Sequence, residues 1–459
     1  MHKRLLFVIS VLCFLITIGF NISCTSSSKT PHTHGWTNGS YLFQGQLIES
    51  ILNTSFYPYA DSDSFGNLTT LVPTSQWSIA VSTCSQGSSS WVLGPTISQS
   101  NGQSISSPSL VVFPSGAALA CWYQENAGIM TVSRSSAGIW SSPLSLAFDA
   151  IGYRLVKGPG EFAAIIFESM DSTGTIWPLN TAIYSSRTGW SATGPLPKGP
   201  NRAMNYTIGV DSNGNMVSAW GYVTPDRVDA IFASTFTMNS NYWSSQYQLN
   251  GPPTPGAAGL FPIVSMNRLG AAMVAWNQYS IDGSPTVPYG TWYCTHTLSQ
   301  GWSVAKQGPT GFTSTLLLDD AGKALSAGLT PNPFIGNANW QVQTSYFDGT
   351  SWMDLPVPLS GPHNCDAPRI AEDFNGNYYL AFTSPSIQSF GAKSVYGTHL
   401  YLGGASIGWD SATILHGQNA SNSENVIITG APGSGINIIW TNDQSVLPNM
   451  QGVSVSSWN

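Results

Sequence analysis

The sequence predicts an all-β fold, a single β-propeller of eight four-stranded blades, with seven as the alternative count. Three observations predict it: a turn-and-strand motif that returns every 44 to 59 residues, a second Trp-bearing signal inside each repeat, and complementary fragments at the two ends of the mature chain.

The fullest copy of the motif is Asp211-Ser212-Asn213-Gly214-Asn215 followed by Met216-Val217-Ser218-Ala219-Trp220. Asp and Asn bond to nearby backbone and Gly takes positive φ at no steric cost, so the first half closes a hairpin. The second half is short, apolar and bounded, as a buried strand should be. Counting six residues from the turn glycine leads from Gly116 to Trp122, from Gly270 to Trp276 and from Gly376 to Phe382. Weaker copies run from Gly66 to Val72, Gly160 to Ile166 and Gly322 to Gly328, and Gly435 reaches Trp440 one residue early. Such a period, filled with short strands, selects a propeller over a solenoid.

The second signal is a Trp after a Gly/Ser/Asn-rich turn, at positions 91, 140, 190, 243, 302, 352 and 409. Between the two signals lies another alternating run, such as 78–84 or 230–236. Each unit therefore reads as inner strand, tight turn, second strand, loop, third strand, turn and outer strand. The eighth unit ends at Asn459 without an outer strand, while Gly35-Trp36 precedes an orphan strand over 40–48. Residues 36–50 are thus expected to complete the last blade and close the ring, which removes an exposed sheet edge.

The repeat D-x-x-G-N-x-x-x-x-W followed by Gly-Trp resembles the repeats of bacterial secreted and surface β-propeller lipoproteins. The resemblance covers roughly 36–459 and implies the fold; it assigns no activity, since propellers host unrelated roles.

Charged residues make up 8% of the chain against a usual ~25%. A net charge of −7 with only 15 Lys and Arg gives no footprint for nucleic acid. Residues 1–24 read as a signal peptide: His2-Lys3-Arg4, an apolar run from Leu5 to Phe20, then Asn21-Ile22-Ser23-Cys24. The last four resemble a lipobox, which implies lipidation at Cys24 and an outer-membrane lipoprotein of the cell envelope; Asn21 stands where Leu is usual, which leaves secretion without the lipid open. Residues 25–35 form a flexible tether and 36–459 the propeller. Cys84, Cys121, Cys294 and Cys365 fall at unmatched strand positions and read as buried thiols rather than disulfides.

Trp122, Trp220, Trp276 and Trp440 recur at one place per blade and are expected to pack between blades. Trp177 and Trp340 break the register, in loops between second and third strands, and with Tyr279 are the aromatic ligand candidates. The acidic run 61–66 starts like a calcium loop but has Phe65 and Val72 where ligands are needed, so it reads as a hairpin turn and no metal site is expected. Glu125, Glu168, Arg202, Asp226, Arg227 and Arg369, with Arg154, are placed on the face that gathers the long loops.

The reading that follows is a non-catalytic, monomeric, envelope-anchored propeller without a cofactor. It binds a protein or glycan through its loop face and touches the membrane only through its lipid. Two alternatives stand beside it. One is a lectin. The other is an exo-acting glycosidase in which Glu125, Glu168 or Asp226 serve as acid, base or nucleophile and arginines grip an anionic sugar. The second resembles a sialidase, although the turns before the outer strands carry at best one approximate S-x-D-x-G-x-x-W box.

Overall fold

The computed structural model describes residues 40–41 and, with internal gaps, 59–458; the longer gaps are 171–176, 224–228, 251–256, 281–289, 332–339, 357–364, 386–392, 416–421 and 444–451. The signal segment, Cys24 and the tether lie outside the described residues, as do Asp226 and Arg227.

Among the described residues the strands form eight antiparallel sheets, each with an inner, second, third and outer strand. Blade 4 is representative: Met204–Val210, Met216–Val223, Asp229–Thr237, and an outer strand broken into Tyr242–Trp243 and Tyr247–Gln248. Inner strands of neighbouring blades touch all the way round, including Asn422–Ala431 of blade 8 against Tyr59–Ser62 of blade 1. The ring closes as its end fragments require. Ser40–Tyr41 pairs with Gly452–Trp458, Ser40 opposite Val455 and Tyr41 opposite Ser454, and becomes the outer strand of blade 8.

The repeated turn works as its residue types dictate. Asp211 accepts from the backbone N–H groups of Asn213 and Asn215, both at 2.8 Å, and from Asn215 Nδ2 at 2.8 Å, while Gly214 sits at φ 84°. Asp63 repeats all three bonds with Phe65 and Asn67. Within the acidic run 61–66, the Asp63 carboxylate is thus spent on its own hairpin turn. Asn267 and Asp373 hold the equivalent turns of blades 5 and 7.

Trp122, Trp220 and Trp276 are 0 to 1% exposed, and each contributes about 4–6 kcal/mol of gross burial at ~25 cal/mol/Å² over 150–250 Å². The outer-strand tryptophans add directed contacts that periodicity does not reveal. Trp190, Trp243 and Trp409 donate their indole N–H to Thr131, Thr181 and Thr344, each on the third strand of the preceding blade. Trp243→Phe is expected to cost about 1–2 kcal/mol, seen as a lower urea midpoint at unchanged m-value; an unchanged midpoint would remove this bond from the account of blade docking.

Cys84, Cys121, Cys294 and Cys365 are buried and joined by no disulfide. Burial pushes Cys121 and Cys294 each up to about 12, so both stay protonated and inert.

The inner strands of blades 2 to 8 slip register near their loop-face ends. Bulges of this kind re-aim the side chains around them. In blade 4 the slip lies between Met204 and Thr207, with Asn205 at φ 52°.

Candidate functional site

Among the described residues, two regions gather charged side chains of interest. At the turn-face end, the inner strands line a cavity of about 720 Å³ that includes Asp61, Lys157, Arg268, Asp319, Asp320 and Glu372. Much of this charge is committed internally. Lys157 Nζ lies 2.8 Å from Asp61 Oδ2, Arg268 Nε 3.8 Å from Asp320 Oδ2, and Asp319 accepts the Lys323 backbone N–H at 2.7 Å. Glu372 faces the cavity; its enclosure, reinforced by Asp319, Asp320 and Asp373 and opposed by Arg268, pushes its carboxyl up to about 7.

The second region lies on the loop face where blade 3 meets blade 4. Glu168 stands near the end of the second strand Phe162–Ser169 and is 3% exposed. One carboxylate oxygen, Oε2, accepts from Arg202 Nε at 3.3 Å, and the other, Oε1, is buried without a hydrogen-bond partner among the described residues. Arg202 comes from the connection into blade 4, its side chain 58% exposed, with its guanidinium carbon 4.7 Å over the Trp177 ring. The indole fixes the plane of the guanidinium by cation–π contact.

Tyr206, on the blade 4 inner strand, completes the group. Its hydroxyl approaches Gly152, the residue paired with Glu168 across blade 3. A side chain at position 152 would set a Cβ 3.4 Å from that hydroxyl.

The electrostatics follow from this enclosure. Burial raises the Glu168 carboxyl above its ordinary range, and Arg202 and Lys198 pull it back only in part. Burial and the Glu168 charge push Tyr206 up to about 12, against Arg154 and Arg202. The tyrosine is therefore a neutral hydrogen-bonding group at physiological pH, while the Glu168 carboxyl keeps its proton to a higher pH than a solvated one does.

Of the residues singled out in the sequence, the structure brings together Glu168, Arg202 and Trp177. The others lie apart or outside. Glu125 is exposed in blade 2 and accepts from Ser104 at 3.0 Å. Trp340 opens the third strand of blade 6 rather than lying in a loop, opposite Pro331 and 6.2 Å from the Phe312 ring. Tyr279 pairs with Ala258 in blade 5, its side chain outside the description, and Arg369 is exposed on the blade 7 inner strand, bonding to the Pro368 carbonyl. Solvated loop charge describes Glu125 but fails for Glu168, which is 3% exposed.

Tyr206 and Lys198 were not legible. Tyr206 looks like any inner-strand aromatic, and Lys198 sits in a Pro/Gly-rich connection without periodicity.

No family model and no curated protein matches this chain. Among solved structures it is similar to an alpha-L-arabinanase of Penicillium chrysogenum complexed with arabinobiose, at 11% identity and TM-score 0.40 over 76% of this chain and 94% of that one. It is also similar to an ulvan lyase (10% identity, TM-score 0.44, 74% and 89% covered) and to prolyl endopeptidases (10%, 0.47, 85% and 55%). These proteins differ in reaction, so no activity carries over from them.

Proposed function

We propose that this chain is an exported propeller of the cell envelope that acts on a glycan at its loop face, with Glu168 as the proton donor of a glycoside hydrolase. One observation carries the reading: a buried carboxyl of which one oxygen has no hydrogen-bond partner among the described residues. Leaving a buried oxygen unsatisfied costs about 1–3 kcal/mol. That oxygen is closed to solvent, so the reading requires the exposed Arg202 side chain to move aside for a substrate oxygen to accept the proton. Trp177 beside it offers an apolar ring edge to a sugar, and the neutral Tyr206 hydroxyl can orient a substrate hydroxyl. The signal segment and the lipobox-like Cys24 would hold the propeller at the envelope, where glycans are at hand.

The test is a panel of fluorogenic glycosides, neutral and anionic, run with a glycan array on the same preparation. Hydrolysis of at least one glycoside is the expected result. Array binding without turnover would replace the hydrolase with a binding module, and neither would end the glycan reading.

A further inference from the structure

We infer, resting on the envelope placement proposed above, that the turn face of the ring lies against a phospholipid surface and the loop face with Glu168 points away from it. Such a contact goes beyond a membrane attachment made by a lipid alone. Ser40 stands opposite Val455 and Tyr41 opposite Ser454. The partner strand runs on to Trp458, which lies opposite Ile436 beside the Ala431 and Gly435 pair that closes the blade 8 hairpin. The chain ahead of Ser40 therefore joins blade 8 from the turn face. A lipid on Cys24 would hold the ring by that face.

The turns on that face carry side chains that the fold does not ask for. Asp211 and Gly214 build the repeated turn, and the residue before the glycine gives it only a backbone N–H. Asn213 fills this place in blade 4, but Phe65 fills it in blade 1 and Leu269 in blade 5, donating in the same way to Asp63 and Asn267. Turn positions of this kind are ordinarily polar, yet Phe65 and Leu269 are 64% and 71% exposed. The turns between third and outer strands, at the same end of the sheets, add Ile139, Tyr242 and Leu298, 65 to 72% exposed. A Cβ at Gly270 would lie 3.9 Å from Leu298 Cδ1, so the two apolar tips of blade 5 sit together.

Scattered singly, exposed apolar residues need no explanation. These five stand on one face, in blades 1, 2, 4 and 5, and the same face receives the chain ahead of Ser40. A phospholipid headgroup layer accepts such tips, their apolar bodies sunk to the acyl boundary and the Tyr242 hydroxyl left at the polar surface. With the ring tethered at Cys24, shallow contacts that would be weak singly act together. Charge at the channel mouth on this face is paired, Arg268 Nε 3.8 Å from Asp320 Oδ2, so a neutral headgroup suits it and salt should matter little.

The experiment sets the exported full chain on phosphatidylcholine vesicles with a diazirine in the acyl chain and maps the photoadducts by mass spectrometry. Adducts are expected in the turns of Phe65, Ile139, Tyr242, Leu269 and Leu298. None is expected at Phe148 or Met170, which are 73% and 42% exposed at the other end of the sheets. In Phe65→Ser/Leu269→Ser, adducts at the untouched Ile139 and Leu298 should fall about 10-fold, with the urea midpoint unchanged. Adducts confined to the peptide bearing Cys24, or reaching Phe148 and Met170 equally, would overturn the docked face. The same spectra read the lipid on Cys24. Tip adducts on an unlipidated chain would end the lipid anchor and keep the face, a lipidated chain without tip adducts would do the reverse, and neither would end both.

Discussion

Replacing Glu168 with Gln is expected to lower kcat by about 10²- to 10⁴-fold, the usual worth of a positioned proton donor, while KM moves by only a few fold. Gln keeps the shape of the side chain but cannot deliver a proton to a leaving oxygen. Arg202 does not depend on the carboxylate for its position, since Trp177 holds its guanidinium face, so the rest of the site should survive the change. The loss should also depend on the leaving group. A nitrophenolate needs little protonation on departure and a sugar alkoxide needs much, so the penalty should shrink on nitrophenyl glycosides and grow on natural linkages. A merely structural glutamate would cost both equally, and kcat within threefold of wild type on a natural linkage would sink the assignment.

The pH dependence follows from the direction of the Glu168 shift. The carboxyl must be protonated to act, so activity falls on the alkaline side as the proton leaves. Burial moves that limb upward and the Arg202 charge moves it back down. In Arg202→Met the alkaline limb should therefore shift to higher pH, and in Glu168→Gln it should vanish from the residual rate.

How much of this was legible in the chain depends on which residues obey a period. The turn led by Asp211 could be read because each of its residues has one backbone task, and Asp63 performs the same task with the same three bonds. Ring closure was legible too, since an orphan outer strand and a three-stranded blade have one economical pairing. The site was legible only in part, because it is built where periodicity stops. Arg202 and Lys198 lie in a connection between blades, and Tyr206 follows a register slip at Asn205 that breaks the alternation by which one counts faces. Trp340 misled for the opposite reason. It appeared to be off register, yet it continues the ladder of its blade opposite Pro331.

Asp61 shows the same gap between local and cross-ring information, and Asp61→Ala is expected to destabilise the fold by about 3 kcal/mol. In sequence it is one more acidic residue beside a turn; in the structure it ties four blades together at the closure. Its Oδ1 accepts from Thr429 Oγ1 of blade 8 at 2.9 Å and from the Ser62 backbone at 2.8 Å, and its Oδ2 accepts from the Val112 backbone N–H of blade 2 and Lys157 Nζ of blade 3, both at 2.8 Å. Ser62 extends the joint, with its hydroxyl bonded to Thr429 and to the Gly430 carbonyl. The carboxylate is 14% exposed and the lysine 32%, so the lysine left behind recovers some hydration and the cost stays below that of a fully buried broken pair. The backbone N–H of Val112 has no such escape. Asp61→Asn keeps an acceptor for one or two donors and should lose about half as much, and Lys157→Met, which leaves the three other bonds in place, about 1 kcal/mol. Urea denaturation of the three variants measures the ranking. If Lys157→Met proves as costly as Asp61→Ala, the ion pair alone holds the joint and the contacts from blades 2 and 8 are incidental; if Asp61→Ala costs under about 1 kcal/mol, ring closure rests on the pairing of Ser40–Tyr41 with Gly452–Trp458 instead.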